Sequence, residues 1–180
     1  MKRLQLCNLL HAYMHTTPEE HQFKSDTLAF IAANPDCFER SLAIGHITAS
    51  CWLVNKNNDR ALLTHHATLN RWFQLGGHCD GDSDVLAVAI KEAQEESGIT
   101  HIVPVSTEIY DIDVHKIPEN NREKEHYHYD IRFLLKVTSD ETVLVNHESK
   151  ELRWISKDRA LLPTSSQSVV RMFDKWVARS

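Results

Sequence analysis

The chain has 180 residues, 42% of them hydrophobic and 25% charged, with a formal net charge of −5. That length and balance suit one globular domain with a sizeable core. No long Lys/Arg run offsets the negative charge, which excludes a nucleic-acid polymer as the expected partner, and nothing approaches the ~20 consecutive apolar residues of a membrane span. The four cysteines, Cys7, Cys37, Cys51 and Cys79, form no CxxC pair. Zinc-finger and thioredoxin-like readings therefore fail on spacing, and reduced thiols in a cytoplasm are the simpler account.

In chain order, MKRLQLCNLLHAYMH is interrupted by Gln5, Asn8 and His11, so it reads as a helix over about 2–14 and not as a signal peptide. A second helix is signalled by Thr17-Pro18-Glu19-Glu20, with threonine as N-cap, proline at the first helical position and glutamate at the third, and it should end before Asn34-Pro35. Residues 1–44 then form a helical extension, and a core domain spans 45–180. The extension could serve packing, homodimerisation or substrate selection. Strands are expected at 47–54 and 60–64, joined by a hairpin loop at Asn55–Asp59.

The segment from Gly76 to Ile99, GGHCDGDSDVLAVAIKEAQEESGI, places a glycine turn before a helix. Ser83 is the expected cap of a helix starting at Asp84. Val85, Leu86, Ala89, Ile90 and Ala93 would face the core. Glu92, Glu95 and Glu96 stand at i, i+3 and i+4 and share one helical face. They also lie near the C-terminal end, where the helix dipole disfavours negative charge. Clustered carboxylate oxygens in an unfavourable place suit Mg²⁺ or Mn²⁺.

Beyond it, strands are expected at 102–115, 127–137, 142–145 and 151–155. A closing helix near 166–178 would bury Val169, Met172, Phe173 and Trp176. Asp111-Ile112-Asp113-Val114-His115 and His126-Tyr127-His128-Tyr129-Asp130-Ile131-Arg132 both alternate strictly. As strands they put Asp111, Asp113 and His115 on one face and His126, His128, Asp130 and Arg132 on one face. If the two pair as a hairpin these faces coincide, and the patch could hold a second metal or bind substrate phosphates. Tyr127 and Tyr129 would point the other way, into the core. His11, His65 and His66 read as incidental.

The segment 76–99 resembles the signature of Nudix hydrolases: Gly, five residues, Glu, seven residues, then Arg-Glu-apolar-x-Glu-Glu-x-Gly-apolar. Gly77, Glu92, Glu95, Glu96, Gly98 and Ile99 fall in register with it. Ser83 replaces the early glutamate and Lys91 the arginine, so loop bracing changes while the metal-ligating glutamates remain; Asp82 or Asp84 could partner Lys91. The resemblance implies an α/β/α sandwich with a mixed sheet, preceded here by the helical extension. It also implies a hydrolase that cleaves a phosphoanhydride in a small diphosphate substrate, a nucleoside diphosphate-linked compound or a nucleoside triphosphate. Glu92, Glu95 and Glu96 would bind Mg²⁺ or Mn²⁺, and Gly76, Gly77, Lys91 and Gly98 would support the loop. Glu95, Glu148 and Glu151 are the candidates for general base. His78, in the glycine turn, joins His115, His126, His128, Asp130 and Arg132 as a candidate for substrate or second-metal binding. It also matches a histidine of isopentenyl diphosphate isomerases, but the isomerase's cysteine would fall at Gly76. The other alternative is a Nudix-fold binding or regulatory module without catalysis.

Overall fold

The computed structural model describes residues 2–119 and 124–179. Its elements are α1 (Lys2–Ala12), α2 (Pro18–Ala33), β1 (Gly45–Val54), β2 (Arg60–His66), β3 (Trp72–Phe73), β4 (Leu75–His78), α3 (Val85–Ser97), β5 (Ile102–Pro104), β6 (Asp111–Ile117), β7 (His126–Val137), β8 (Ser149–Ser156) and α4 (Gln167–Ala178). The fold is α/β with helices at its N-terminus. The strands belong to one sheet of order β3-β2-β1-β7-β5, with β4 paired to β1, β6 to β7 and β8 to β2.

The chain divides into two compact units. One comprises residues 1–49, 77–89 and 107–133, the other residues 50–76, 90–106 and 134–180. In the first, α2 starts where the sequence requires it. Thr17 and Glu20 form a reciprocal capping box with Pro18 inside the first turn, satisfying donors that a helix start leaves open. Glu20 is buried and also accepts from Tyr13 Oη and from Thr16 Oγ1 at 2.6 Å, which ties the end of α1 to the start of α2. α1 stops at Ala12, two residues short of the expectation. β6 and β7 pair antiparallel as a hairpin, with Asp111 opposite Arg132, Asp113 opposite Asp130 and His115 opposite His128. The reverse face of this hairpin takes α2: Phe30 stacks on Tyr129 with ring centroids 4.0 Å apart. Tyr127, expected in the core, is exposed, because α2 covers only part of that face.

In the second unit, β1 and β2 form the expected hairpin, and the loop between them is held by Asn55, whose Oδ1 accepts from the backbone of Asp59 and Arg60, each at 3.0 Å. α4 buries Val169, Met172, Phe173 and Trp176 as its spacing dictates. Trp176 packs on Trp52 and donates its indole N–H to Asn58 at 2.8 Å.

Two strand expectations fail. Residues 102–115 are not one strand but β5 and β6 with an irregular passage between them. Residues 142–145, Thr-Val-Leu-Val, carry β-branched residues yet form no strand, because their backbone serves α3: the Leu144 N–H donates to the Ser97 carbonyl at 2.8 Å, one of the carbonyls a helix end leaves unsatisfied. Gly98, at φ +75°, makes that approach feasible, since a Cβ there would lie 2.7 Å from the Leu144 Cβ.

Candidate active site

The helix that carries the clustered glutamates is capped one residue later than expected. It begins at Val85, and Asp84, not Ser83, is the cap, its Oδ1 accepting from the Ala87 N–H at 3.0 Å. Asp82 in turn accepts from the Asp84 N–H at 2.9 Å. Along α3 the buried positions are Val85, Val88, Ala89, Ala93, Glu96 and Ser97, which follow an i, i+3, i+4 stripe. Leu86 and Ile90, expected on that stripe, are half-buried, and Val88 takes the inner position. Glu92 and Glu96 therefore stand where the helical period calls for apolar side chains.

Placement there costs a carboxylate its hydration. Burial pushes the Glu96 carboxyl up to about 8; the Gly76 N–H, donating to Glu96 Oε2 at 3.0 Å, works against that rise, while Glu92 and Glu148 add to it. The Glu92 carboxyl is likewise raised, first by burial, with Lys91 opposing and Glu95 and Glu148 contributing repulsion. Glu95 is turned outward and exposed, with its Oε2 3.6 Å from Lys91 Nζ. Lys91 also lies 3.7 Å from Glu92, so it pairs within its own helix and not with Asp82 or Asp84.

Glu148 reaches this cluster because its loop is tied to the end of α3. Besides the Leu144 to Ser97 bond, Asn146 Nδ2 donates to the Glu95 carbonyl at 3.4 Å, and Asn146 Oδ1 accepts from the Glu148 N–H at 2.9 Å. The Glu148 carbonyl accepts from the Ala67 N–H at 2.8 Å. Glu151 is held differently. It lies on β8 opposite His65, and its Oε1 receives Arg153 at 2.7–2.8 Å. The Glu92, Glu96 and Glu148 group thus concentrates negative charge around a buried carboxylate. Carboxylates grouped in this way could hold a hard divalent cation such as Mg²⁺ or Mn²⁺, which would relieve both desolvation and repulsion.

The second constellation separates into two parts. Arg132 is almost fully buried and holds three aspartates: Nε meets Asp130 Oδ2 at 2.7 Å, one terminal nitrogen meets Asp111 Oδ2 at 3.0 Å, and the other lies 3.4 Å from Asp113 Oδ2. Thr48 Oγ1 donates to Asp130 Oδ1 at 3.0 Å. Asp130 and Arg132, expected to face a ligand, are placed in this enclosed ion cluster. The histidines are gathered elsewhere on the same hairpin. His115 Nδ1 lies 2.9 Å from Asp113, His126 Nδ1 donates to the Lys124 carbonyl at 2.8 Å, and His126 Nε2 is 3.2 Å from His128 Nε2. His78 joins them, 5.2 Å from His128 between ring centroids.

His46 was not anticipated from the sequence. It is buried, with ring centroids 4.7–5.0 Å from His78, His126 and His128. Its signal was present: His46, Thr48 and Ser50 alternate with apolar residues along β1, which puts three polar side chains on one face of a fully buried strand. His65 and His66 do structural work. His65 stacks on Trp72, and His66 Nδ1 accepts from the backbone of Thr68 and Leu69.

The NUDIX domain family model matches residues 45–176. No curated protein sequence matches the chain. Among solved structures, a NUDIX-family hydrolase from Clostridium perfringens is similar, with 24% identity, a TM-score of 0.56, and coverage of 75% of this chain and 98% of that one. An Ap4A hydrolase from C. elegans has 19% identity and a TM-score of 0.55, covering 74% and 96%. The dihydroneopterin triphosphate pyrophosphohydrolase of E. coli has 13% identity and a TM-score of 0.57, also covering 74% and 96%. These likenesses share the α/β fold, and among the described residues no helix is long and apolar enough to cross a membrane. With the family model covering most of its length, the chain belongs to the Nudix hydrolase family.

Proposed function

We propose that this protein hydrolyses a phosphoanhydride bond in a nucleoside diphosphate-linked compound or a nucleoside triphosphate, using Mg²⁺ or Mn²⁺ held by Glu92 and Glu96. The observation that carries the reading is Glu96: a carboxylate in a core position, anchored by the Gly76 N–H and pressed by Glu92 and Glu148. A structural role would be met better by an apolar residue at that position. The divalent ion would neutralise charge on the phosphate oxygens and acidify the attacking water. Gly76 fixes the Glu96 oxygen, and α3 fixes Glu92 one turn before it. Glu148, half exposed and beside both, takes the proton from water as general base. Glu95, paired with Lys91 at the solvent edge, adjusts the charge of the cluster, and Glu151 is engaged by Arg153. Two fold relatives are an Ap4A hydrolase and a dihydroneopterin triphosphate pyrophosphohydrolase, which accords with this class.

The test is phosphate and nucleotide release from nucleoside triphosphates, nucleotide sugars, ADP-ribose and dinucleoside polyphosphates. Metal-dependent turnover should fall at least about a hundredfold in Glu96→Gln and in Glu148→Gln and stay near wild type in Glu151→Gln. Turnover that ignores Glu96→Gln would remove the carboxylate site from the reaction. Binding of a nucleotide without turnover, by folded protein in Mg²⁺, would make the protein a binding module.

A further inference from the structure

Five histidines, His46, His78, His115, His126 and His128, meet in the first compact unit, apart in sequence from the glutamates of α3. Three of them, His46, His78 and His128, offer ring nitrogens that all lie within 4.8 Å of one another. Tetrahedral zinc with nitrogen ligands at ~2.0–2.1 Å needs those atoms about 3.3–3.4 Å apart, so binding would draw the rings inward by up to about 1.5 Å. His46 is 1% exposed, and neither of its ring nitrogens finds a hydrogen-bond partner among the described residues. A buried imidazole in that condition has lost its hydration with nothing in return, so its presence on an otherwise packed strand calls for a ligand.

The backbone brings His46 to this place. Gly45 has φ +147°, and a Cβ on it would lie 2.4 Å from the Tyr127 carbonyl oxygen, so only glycine lets the start of β1 close against β7. The Tyr127 N–H donates to the Ile44 carbonyl at 3.1 Å, and the Ile47 N–H to the Cys37 carbonyl at 2.7 Å. His126 orients His128. With its Nδ1–H given to the Lys124 carbonyl, a neutral His126 presents a lone pair at Nε2, which the His128 Nε2–H meets. Such an outer partner is what fixes the ring of a metal-ligating histidine.

We infer that His46, His78 and His128 form a binding site for a transition-metal ion of the Zn²⁺ class, with a fourth position left for water. Imidazole ligands select zinc and its transition-metal neighbours over Mg²⁺, which prefers oxygen. A metal ligand must be neutral imidazole, and this cluster favours that form. Burial, reinforced by His78 and His126, lowers His46 to about 4, and burial with the surrounding imidazoles lowers His128 to about 2. The inference uses no residue of the carboxylate cluster and stands or falls separately from the proposed hydrolysis.

The experiment takes the full-length protein, stripped of metal with a chelator, and titrates it with Zn²⁺, with Mg²⁺ and with Co²⁺. Wild type should bind one equivalent of Zn²⁺ per chain far more tightly than Mg²⁺, and bound Co²⁺ should show visible absorption of a low-coordinate imidazole site. His46→Gln and His128→Gln should each weaken Zn²⁺ by about a hundredfold or more, while a Glu92→Gln/Glu96→Gln double variant retains it. X-ray absorption on zinc-loaded wild type should count three imidazole ligands, and it needs no substituted protein if a variant fails to fold. Zinc bound no more tightly than Mg²⁺, binding untouched by the histidine substitutions in folded protein, or an oxygen-only zinc shell would each overturn the assignment.

Discussion

Arg132 offers a direct measure of what the enclosed ion cluster contributes. Its guanidinium and the side chains of Asp111, Asp113 and Asp130 are all at most 8% exposed. Arg132→Met keeps the aliphatic volume and removes the guanidinium that these three carboxylates share. Removing one partner of a buried pair costs about 3–5 kcal/mol because a buried charge is left uncompensated, and three carboxylates share this one, which favours the upper end. At roughly 2–4 °C per kcal/mol for a chain of this size, the melting temperature near neutral pH should drop by about 10–20 °C. Adding Asp111→Asn, Asp113→Asn and Asp130→Asn should recover part of the loss by removing the repulsion. Thermal and urea unfolding are the assays. A variant within about 1 kcal/mol of wild type, or a deficit that the asparagines do not relieve, would refute the reasoning.

Three further outcomes follow from single features. In metal-free protein Glu96 titrates near 8 when folded against 4.5 as its ordinary value, so the folded state binds the extra proton between those limits and stability falls as pH rises through the window. At ~1.4 kcal/mol per unit the loss amounts to a few kcal/mol; Glu96→Gln should flatten that slope in chemical denaturation, and Mg²⁺ should restore wild type near pH 8 but not the variant. Gly98→Ala combines positive φ with a 2.7 Å approach to the Leu144 Cβ and should cost about 1–3 kcal/mol. By loosening the loop that carries Glu148 it should also lower kcat more than it raises KM, and an unchanged kcat would detach that loop from the chemistry. Cys37 is buried and its thiol pushed up to about 11, chiefly by desolvation, while Cys51 and Cys79 are also buried and Cys7 is partly exposed. Alkylation of native protein followed by mass spectrometry should label Cys7 first and the others only on unfolding.

The legible parts of the sequence were those governed by local period and local chemistry. The capping box at Thr17 marks the start of α2, strict alternation shows which residues of β6 and β7 share a face, and the spacing of Glu92, Glu95 and Glu96 groups them near one face of α3, from which Glu95 turns outward. Misreadings arose where a distant partner decides. Thr142 to Val145 has strand-like residues, but the Leu144 amide is claimed by the end of α3 and the Thr142 amide by Asp140. Asp130 and Arg132 share a face with the histidines, yet charge pairing with Asp111 and Asp113 encloses them. His46 went unread because one histidine in a buried strand acquires meaning only when Gly45 brings it against β7.

The same contrast bears on why buried polar groups persist in this chain. Arg132 and its aspartates neutralise one another in part, so their burial is explained by mutual attraction and hydrogen bonding. Among the described residues, Glu96 has the Gly76 N–H as its partner against two neighbouring carboxylates, and His46 finds no hydrogen-bond partner for either nitrogen. Folding alone would replace both with apolar residues at a gain, since each occupies a position where an apolar side chain would pack. Groups whose burial the fold does not repay are where ligand binding should supply the missing free energy. The oxygen set at Glu96 and the nitrogen set at His46 call for cations of opposite hardness. Mg²⁺ should therefore raise the melting temperature through Glu96 and leave a His46→Gln protein equally responsive. Zn²⁺ should do the reverse, raising it through His46 even when Glu96 is glutamine. A single residue whose loss silenced both responses would show that one site, not two, accounts for them.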